Sequence, residues 1–512
     1  MTSGSLRLTN HSTRQLSLSV YAVLLLFTLF LLYTSGADGP LRSHYPHGDS
    51  SWFFMGGKAW MSGLTPYVDF TDSKGPFLWL LYGIGYLLHP TSFAGMFWIE
   101  VLFYWGTFTL IYKIARIFSF TSAQSLIAAF ISAIFFFLPI VHGEMRTEDF
   151  NQLFSALAVY SIARILIEKG SLRRYGFYLG IVLALTLLMK FNFAMLAGVP
   201  VFIILIFSGC RYGWKGFLKF FLSVSLGAVC ILLPFLLYFI HVGALEAFIR
   251  EYFVNTFLTI KVTSHSTSLL KPLLWPENFL NLIVKFGPYQ IIMKIICLCV
   301  VYMPLKIYKT NWFRWTVWIW LFVSLLMFMD VILDYYLNYF GIFGIFAGIT
   351  LIYFFRKANI EGATIVGLLS ILLIVLLSQN VDYAEFQYPK NALARQESLD
   401  RIKRVLVQRS REKGAPASIS FVRVMDRGEH ISSGSLPGTK YWALQNGSTM
   451  AMRKANIEDV FKNRPDMVIT DSRMTEYRKR LEDEGYTHLF DYHPYYLQNT
   501  KLIYNSVFLN NR

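Results

Sequence analysis

The chain has 512 residues, of which 55% are hydrophobic and only 15% charged, and its mean hydropathy is +0.45. Soluble domains carry about 25% charged residues and lack repeated apolar stretches of membrane-spanning length, so this composition excludes an ordinary soluble protein. The net charge of +16 would suit nucleic acid, but the basic residues lie mainly between apolar segments. That distribution indicates membrane orientation and attraction to anionic lipid instead.

The four cysteines lie in or beside apolar segments, and none belongs to a CxxC pair or to the C-terminal region. They are Cys210, Cys230, Cys297 and Cys299. This arrangement predicts neither a metal site nor a disulfide framework. The first apolar run has no small-residue cleavage site after a short core, so we interpret it as a retained span rather than a signal peptide.

About eleven apolar segments are interpreted as full membrane spans, within a range of about 11–13. In chain order they are residues 16–33, 93–112, 122–141, 150–167, 175–189, 194–208, 217–240, 291–303, 315–331, 335–355 and 362–377. Arg7 and Arg14 precede the first span and place the N-terminus in the cytoplasm, because basic loops stay on the inner side. An odd number of crossings then places the C-terminal region outside.

Residues 76–88 are also apolar, but they are too few for a span of about 20 residues. The segment is bounded by Lys74-Gly75-Pro76 and by His89-Pro90. We interpret it as an interfacial or half-inserted helix within a first outer loop, residues 37–92, that carries juxtamembrane helices.

The composition changes near residue 381, which divides the chain into a membrane domain (1–380) and a soluble extracytoplasmic domain (381–512). Helices are predicted at 391–413, 457–462 and 476–484, and strands at 418–423 and 466–470. Helices alternating with short apolar strands indicate a small α/β domain. No glycine-rich phosphate loop follows a strand, so nucleotide dependence is not expected.

Asp49 is the first residue that could carry chemistry. A lone aspartate in a loop most often caps a helix or faces solvent. Here the neighbours Trp52, Phe53 and Trp60 create an aromatic setting at the membrane surface, where a carboxylate is costly unless it has a partner or substrate. A general base that takes a proton from an acceptor hydroxyl would account for it.

A second acidic group lies at the outer end of another span. It comprises Glu144, Arg146, Glu148 and Asp149. Interaction with the dipole at the start of the next helix explains Glu148 or Asp149, but it explains less well why Glu144 and Arg146 are crowded beside them.

Two lysines lie on the same outer side as the acidic groups. Lys74 precedes the half helix, and Lys190 interrupts an apolar hairpin. Either alone could snorkel to the headgroups, but together they suggest a site for a phosphate leaving group. Tyr335 and Tyr336 begin another outer span end, where they either form an interfacial aromatic belt or bind a phosphate or sugar.

These motifs, in this order, resemble the GT-C glycosyltransferases that use lipid-linked sugars, in particular bacterial protein mannosyltransferase-like enzymes and the lipid A aminoarabinose transferases. The matching stretches are an aspartate in the first outer loop (Gly48-Asp49), a G-x-x-P-Y-x-D-x-x-D-x-K-x-P stretch (63–76), R-x-E (146–148), a lysine turn (189–191) and a late Tyr-Tyr-Leu motif (335–337). The chain departs from the pattern at Phe191, where glycine is usual, and at Asp334, where histidine is common.

The resemblance implies a GT-C-like helical fold and a transferase that inverts the anomeric centre. Its donor would be a polyprenyl-phosphate sugar, and its acceptor a glycan, a lipid or a protein. The reaction would take place at the outer face of the bacterial cytoplasmic membrane, without nucleic acid as a partner.

The resemblance also implies roles for individual residues. Asp49 would be the catalytic base, and Glu148 would support it or hold the acceptor. The residues implied near the acceptor or sugar are Asp149, Glu144, Arg146, Asp69 and Asp72. Those implied to hold the lipid phosphate are Lys74, Lys190, Tyr335 and Tyr336. No cofactor is required; some GT-C enzymes use Mg²⁺ or Mn²⁺, and Asp49 with Glu148 could bind such an ion.

Two other classes of protein remain as alternatives. A polytopic transporter or flippase also carries charged groups near the membrane, but such proteins show internal repeats with broken helices at the midplane. The first outer loop has no second copy in this chain, and the charged groups lie at span ends. A membrane scaffold whose tail binds partners is less consistent with acidic outer loops.

Overall fold

The computed structural model describes residues 10–35, 49–137, 146–256, 310–326, 341–360, 362, 389–422, 434–442, 450–492 and 504–511. In the membrane domain the helices are α1 (Asn10–Ser35), α2 (Asp49–Met61), α3 (Pro76–Leu88), α4 (Ala94–Ile117), α5 (Ser122–Phe136), α6 (Thr147–Leu166), α7 (Leu172–Met189), α8 (Phe191–His241), α9 (Leu245–Phe248), a π-helix (Ile249–Val254), α10 (Asn311–Leu326) and α11 (Gly341–Lys357).

The membrane helices form a bundle in which helices that follow each other in sequence pack side by side. α4 contacts α1, α5 and α6, and α7 packs between α6 and α8. Within the described residues, α4, α7 and α8 are long and apolar enough to cross a bilayer. Apolar stretches of α1, α3 and α5 are shorter. The predicted spans 291–303 and 362–377 lie almost entirely outside the described residues.

The helix α8 has 51 residues and covers two of the predicted spans, 194–208 and 217–240. Gly213 breaks it with φ 65° and ψ −165°, a conformation that glycine adopts at little steric cost. The break lies between the predicted spans 194–208 and 217–240, so it separates their two helical halves.

The first outer loop contains two short helices packed on each other. The bounds of α3 are those predicted for the half helix, and Pro76 is its first residue, where the missing N–H costs nothing. A Cβ on Gly57 of α2 would lie 2.3 Å from the backbone N of Gly83 in α3. The two helices therefore touch through their backbones. The depth of α3 in the membrane stays a prediction.

The segment after α8 differs from the sequence prediction, in which the spans 217–240 and 291–303 leave no helix between them. Residues 245–254 instead form α9 and the π-helix. Their aromatic side chains pack into a buried cluster with Tyr67 and Trp79, in which Phe239 stacks on Phe248 at 4.5 Å and Phe248 on Tyr252 at 5.8 Å. Burial of these rings offsets the short length of both helical segments.

The C-terminal domain is an α/β structure, as predicted. Its elements are α12 (Pro389–Lys413), β1 (Ser418–Val422), β2 (Leu436–Pro437), α13 (Met450–Asn463), β3 (Met467–Asp471), α14 (Thr475–Asp483), β4 (Tyr486–Tyr492) and β5 (Asn505–Asn510). The sheet order is β2-β1-β3-β5-β4; β1 is parallel to β2 and β3, whereas β5 is antiparallel to β3 and β4.

The sequence prediction found β1, β3, α12 and α14 but not β2, β4 or β5. It also made α13 too short, because only residues 457–462 show a clear apolar repeat. Val468 on β3 and Phe508 on β5 are fully buried on neighbouring strands, so packing against β3 recruits β5 into the sheet. The predicted domain boundary at residues 380 and 381 lies outside the described residues and stays a prediction.

Candidate active site

Glu148 and Lys190 form a buried ion pair where α6 begins and α7 ends. Lys190 Nζ donates to Glu148 Oε1 at 2.7 Å, and Thr147 Oγ1 donates to Glu148 Oε2 at 2.7 Å. The carboxylate lies in the first turn of α6, where the helix dipole favours a negative charge, and the lysine lies between the last residue of α7 and the first residue of α8. Both residues were singled out from the sequence, and the fold brings them together across 42 positions.

Asp149, the neighbour of Glu148, has a structural set of partners. Its Oδ2 accepts the backbone N–H of Arg146 at 2.9 Å, and its Oδ1 accepts the hydroxyl of Tyr104 at 2.8 Å. The first contact caps α6, which is the alternative considered for this residue from the sequence. The fourth member of the acidic group, Glu144, lies outside the described residues.

Lys74 is brought next to Lys190 by the backbone. The N–H of Gly75 donates to the carbonyl of Met189 at 3.0 Å. Lys74 directly precedes Gly75 and Lys190 directly follows Met189, so this hydrogen bond brings the backbones of the two predicted phosphate-binding lysines together. Only glycine fits at position 75, because a Cβ there would lie 2.0 Å from the carbonyl oxygen of Leu188.

The side chain of Lys74 is 7% exposed, and its Nζ lies 5.5 Å from the ring centroid of Phe53 in α2. Its carbonyl accepts the hydroxyl of Tyr67 at 3.0 Å, which ties the lysine to the aromatic cluster beneath it. A cation held over an aromatic ring keeps part of its stabilisation after losing water. These contacts with Phe53 and Tyr67 therefore hold Lys74 in place where α3 begins and α7 ends.

Asp49 and Asp72 lie near each other and near Lys74. Asp49 is the first residue of α2 and is half-buried. Asp72 Oδ1 accepts the N–H of Ser73 at 2.5 Å, whereas its Oδ2 is buried and has no hydrogen-bond partner among the described residues. Burial raises the pKa of Asp72; Lys74 and Ser73 oppose this effect, and the nearby Asp49 carboxylate adds to it.

Asp69 belongs to the same loop but points away from this group. Its side chain is exposed, and its Oδ2 accepts the N–H of Thr65 at 2.7 Å. The contact closes a tight turn, a usual role for aspartate in loops. Tyr335 and Tyr336, the remaining predicted phosphate ligands, lie outside the described residues.

Three functional candidates were missed from the sequence. Tyr104 binds Asp149, Tyr67 binds the Lys74 carbonyl, and Tyr252 donates its hydroxyl to the carbonyl of Leu187, beside Lys190. Burial raises the pKa of the Tyr67 phenol well above its usual range, so it stays a hydrogen-bond donor. Tyr67 lies inside the 63–76 motif, but no sequence signal distinguishes Tyr104 or Tyr252 from other aromatic residues.

The acidic residues do not favour a metal ion in this arrangement. Both oxygens of Glu148 are taken by Lys190 and Thr147, and the ammonium would repel a second cation. Throughout the part of the chain that the structure describes, no three His, Cys, Asp or Glu side chains are grouped to hold a metal. The suggested pairing of Asp49 with Glu148 around Mg²⁺ or Mn²⁺ stays a prediction, and we derive no step through it.

A narrow crevice lies one helical turn from the ion pair, between α6, α7, α8 and α10. Its walls include Asn151, Phe154, Thr186, Phe193, Leu196 and Trp320. Its lining is mostly apolar, with Asn151, Ser155 and Thr186 as the polar residues among those that form its walls.

The chain is similar to a known family in the sequence of one segment and to solved structures over nearly its whole length. Residues 73–238 match the family model described as dolichyl-phosphate-mannose-protein mannosyltransferase. Crystal structures of ArnT from Cupriavidus metallidurans superpose on nearly the entire chain. The apo form gives a TM-score of 0.58 at 12% identity, covering 97% of this chain and 98% of ArnT. This chain has the GT-C fold.

The ArnT form bound to undecaprenyl phosphate gives a TM-score of 0.57 at 12% identity and covers 96% of this chain and 97% of that one. No curated protein sequence matches the chain. The GT-C resemblance, the polytopic membrane class and the small sheet-containing C-terminal region are thus confirmed. The comparisons do not favour the transporter alternative.

Proposed function

We propose that the protein is an inverting glycosyltransferase that moves a hexose or pentose from a polyprenyl-phosphate donor to a glycan, lipid or protein acceptor at the outer face of the membrane. The GT-C fold and the family match over residues 73–238 support this class of reaction. The ArnT structure with undecaprenyl phosphate supports a lipid-phosphate donor.

The observation that carries the proposal is the Gly75–Met189 hydrogen bond, which brings the backbones of Lys74 and Lys190 together. When the sugar leaves, the lipid phosphate gains negative charge, and cations fixed beforehand stabilise that charge without reorganising. The ion pair with Glu148 holds Lys190 in place, so we assign Glu148 to orienting this lysine. The phosphate would then share the lysine's remaining donors.

Asp49 is proposed as the general base. Its carboxylate takes the proton of an acceptor hydroxyl while the hydroxyl oxygen bonds to the anomeric carbon. The bond from that carbon to the phosphate oxygen breaks, and the polyprenyl phosphate leaves with the electron pair. Asp72, whose pKa is raised by burial and whose Oδ2 has no hydrogen-bond partner among the described residues, is suited to hydrogen bonding with the sugar or acceptor.

The test uses membrane vesicles and the lipid-linked sugar that accumulates in cells lacking the protein, radiolabelled as donor. The Asp49→Asn variant should lose transfer by about 10²–10⁴-fold, because a general base contributes that much, while its expression is preserved. Asp483→Asn, the same change at an exposed position of α14, is the control and should transfer normally. Undiminished transfer by Asp49→Asn would remove this residue as the base.

A further inference from the structure

One segment of the soluble domain, residues 436–442, contacts the first outer loop and the π-helix of the membrane domain. We call it the docking segment. It starts as β2, next to β1, and continues along that strand: Gly438 N–H donates to the carbonyl of Ile419 at 2.9 Å, and Phe421 N–H donates to the carbonyl of Trp442 at 2.7 Å. The segment is therefore a rigid edge of the sheet rather than a loose tail.

Lys440 of the docking segment binds the membrane domain through both its side chain and its backbone. Its Nζ donates to Glu251 Oε1 of the π-helix at 2.8 Å, and its carbonyl accepts the N–H of Thr71 at 3.1 Å. Thr71 directly precedes Asp72. One residue of the soluble domain thus links the π-helix to the loop that carries the acidic group of the candidate site.

Glu251 is enclosed and fully engaged. It is 3% exposed, its Oε1 also accepts the Tyr441 hydroxyl at 3.4 Å, and its Oε2 accepts the Asn255 side-chain amide at 2.8 Å. Arg250 Nε lies 3.8 Å from the same Oε1. A buried carboxylate is tolerated only with such partners, and loss of Lys440 would leave it with the longer contact to Arg250 as its ion pair among the described residues. The next residue, Tyr252, donates to Leu187, so the π-helix joins this ion pair to the chain segment that holds Lys190.

A third contact reaches the helix that begins at Asp49. Trp442 packs edge-on against Trp52 at 5.8 Å between ring centroids, and both indoles are at most 3% exposed. Trp52 lies one turn after Asp49 in α2. The docking segment therefore touches both sequence neighbourhoods of the acidic pair, Asp49–Trp52 and Thr71–Asp72.

We propose that the docking segment fixes the geometry of the acidic loop for glycosyl transfer, with Lys440 and Glu251 as positioning residues. The proposal rests on the proposed function in assigning catalysis to that loop. It goes further in making the soluble domain contribute to catalysis by positioning the loop. Neither residue is required to touch the substrate; each acts through Thr71 and the backbone on either side of it.

The test compares Lys440→Met and Glu251→Gln with Lys440→Arg, which keeps the charge. Lys413→Met is the matched control, because Lys413 forms an ion pair of similar length, 2.7 Å to Asp466, within the soluble domain alone. Three quantities are measured for the purified protein: hydrogen exchange of the Thr71 amide, kcat and KM for transfer, and the Kd for undecaprenyl phosphate.

We expect Lys440→Met and Glu251→Gln to speed Thr71 exchange and to lower kcat about 10- to 100-fold, because small misplacements of reacting groups are costly. KM for the donor and the Kd for undecaprenyl phosphate should change by less than about twofold. Lys440→Arg should recover most of kcat, and Lys413→Met should behave as the unmodified protein does.

Unchanged Thr71 exchange in both Lys440→Met and Glu251→Gln would overturn the proposal, as would a loss of activity matched by an equal loss of undecaprenyl phosphate affinity. If the unmodified protein transfers no sugar, the proposed function fails by itself. The exchange measurement then still decides whether the docking segment orders the loop.

Discussion

The Glu148–Lys190 pair buries two opposite charges where α6 begins and α7 ends. The two side chains are 2% and 16% exposed, so neither charge is well solvated by water. Thr147 and Lys190 together occupy both carboxylate oxygens. The pair is stable because each charge is compensated at short range, and it keeps a cation at the site in a fixed position.

Glu148→Gln and Lys190→Met should each destabilise the protein by roughly 3–5 kcal/mol, because either change leaves the other charge buried without its partner. The double variant should be less destabilised than the sum of the two. Thermal unfolding in detergent measures this coupling as a double-mutant cycle.

The control for that cycle is Glu168→Gln. It breaks the Arg164–Glu168 pair, whose side chains are 34% and 37% exposed, and leaves the hydrogen bond from Arg164 to Tyr175 in place, so it should cost less than about 1 kcal/mol. Strictly additive losses for Glu148→Gln and Lys190→Met would contradict the interpretation of these residues as a mutually stabilising pair.

The raised pKa of Asp72 predicts how the stability of the protein depends on pH. Its pKa is raised in the folded state, so the native protein binds more protons than the unfolded chain between the ordinary pKa of 3.8 and the raised value. Stability from this group is therefore greatest at low pH and is lost as pH rises through that window. Asp72→Asn should raise the unfolding temperature at neutral pH.

The advantage of Asp72→Asn should shrink as pH falls through the raised pKa and reach its minimum at about pH 3, below the ordinary value of 3.8, where Asp72 is protonated in both states. Unfolding temperatures of the two proteins, measured in detergent across this range, give the comparison. An advantage that grew on acidification would show that the carboxylate, not the acid, is the favoured native form.

At the scale of elements, the site depends on where short segments of backbone touch. The loop before α3 meets the end of α7 at Gly75, and α2 meets α3 at Gly57. The sequence predicted α3 with the observed bounds because proline marks its start and apolar residues fill it. It did not predict the contact with α7, since nothing local to residues 74–76 specifies which helix end they approach.

Gly75→Ala should reduce transfer strongly, because the added Cβ would lie 2.0 Å from the Leu188 carbonyl oxygen and would push Lys74 away from Lys190. Gly198→Ala in α8 is the matched control: no atom lies within 4 Å of its Cβ position, and alanine favours the helix by about 1 kcal/mol. Radiolabel transfer at equal protein amounts compares them. Equal activities would exclude close backbone contact at Gly75 as a requirement.

At the scale of the whole molecule, the membrane bundle and the α/β domain meet through the docking segment. The positive-inside rule predicts that this domain lies on the outer side, together with Asp49 and Lys74. The contacts of Lys440 with Thr71 and Glu251 are consistent with that side, because they place the soluble domain against the first outer loop.

Single cysteines in a cysteine-free protein test the orientation. A cysteine in place of Asp483, which is exposed on α14, should react with a membrane-impermeant thiol reagent in intact spheroplasts. A cysteine in place of Arg173, which is exposed in the first turn of α7 and is predicted to face the cytoplasm, should react only after lysis. Protection of position 483 would reverse the orientation and with it the interpretation of residues 76–88.

The sequence by itself determined the membrane class, most helix positions and the identity of the main charged residues. These properties are local: apolar length, helix-breaking residues and isolated charges in apolar surroundings can each be recognised within about 20 residues. The motif order from Asp49 to Lys190 also carried the GT-C resemblance, which the fold confirms.

Only the tertiary structure decided which of those residues meet. Lys190 pairs with Glu148 rather than with another acidic residue, Asp149 is used by Tyr104 and the start of α6, and Lys440 reaches Glu251 across 189 positions. Such pairs depend on how helices and strands pack, and packing is governed by shape and burial over the whole chain. A local sequence pattern therefore does not predict which of these residues come into contact.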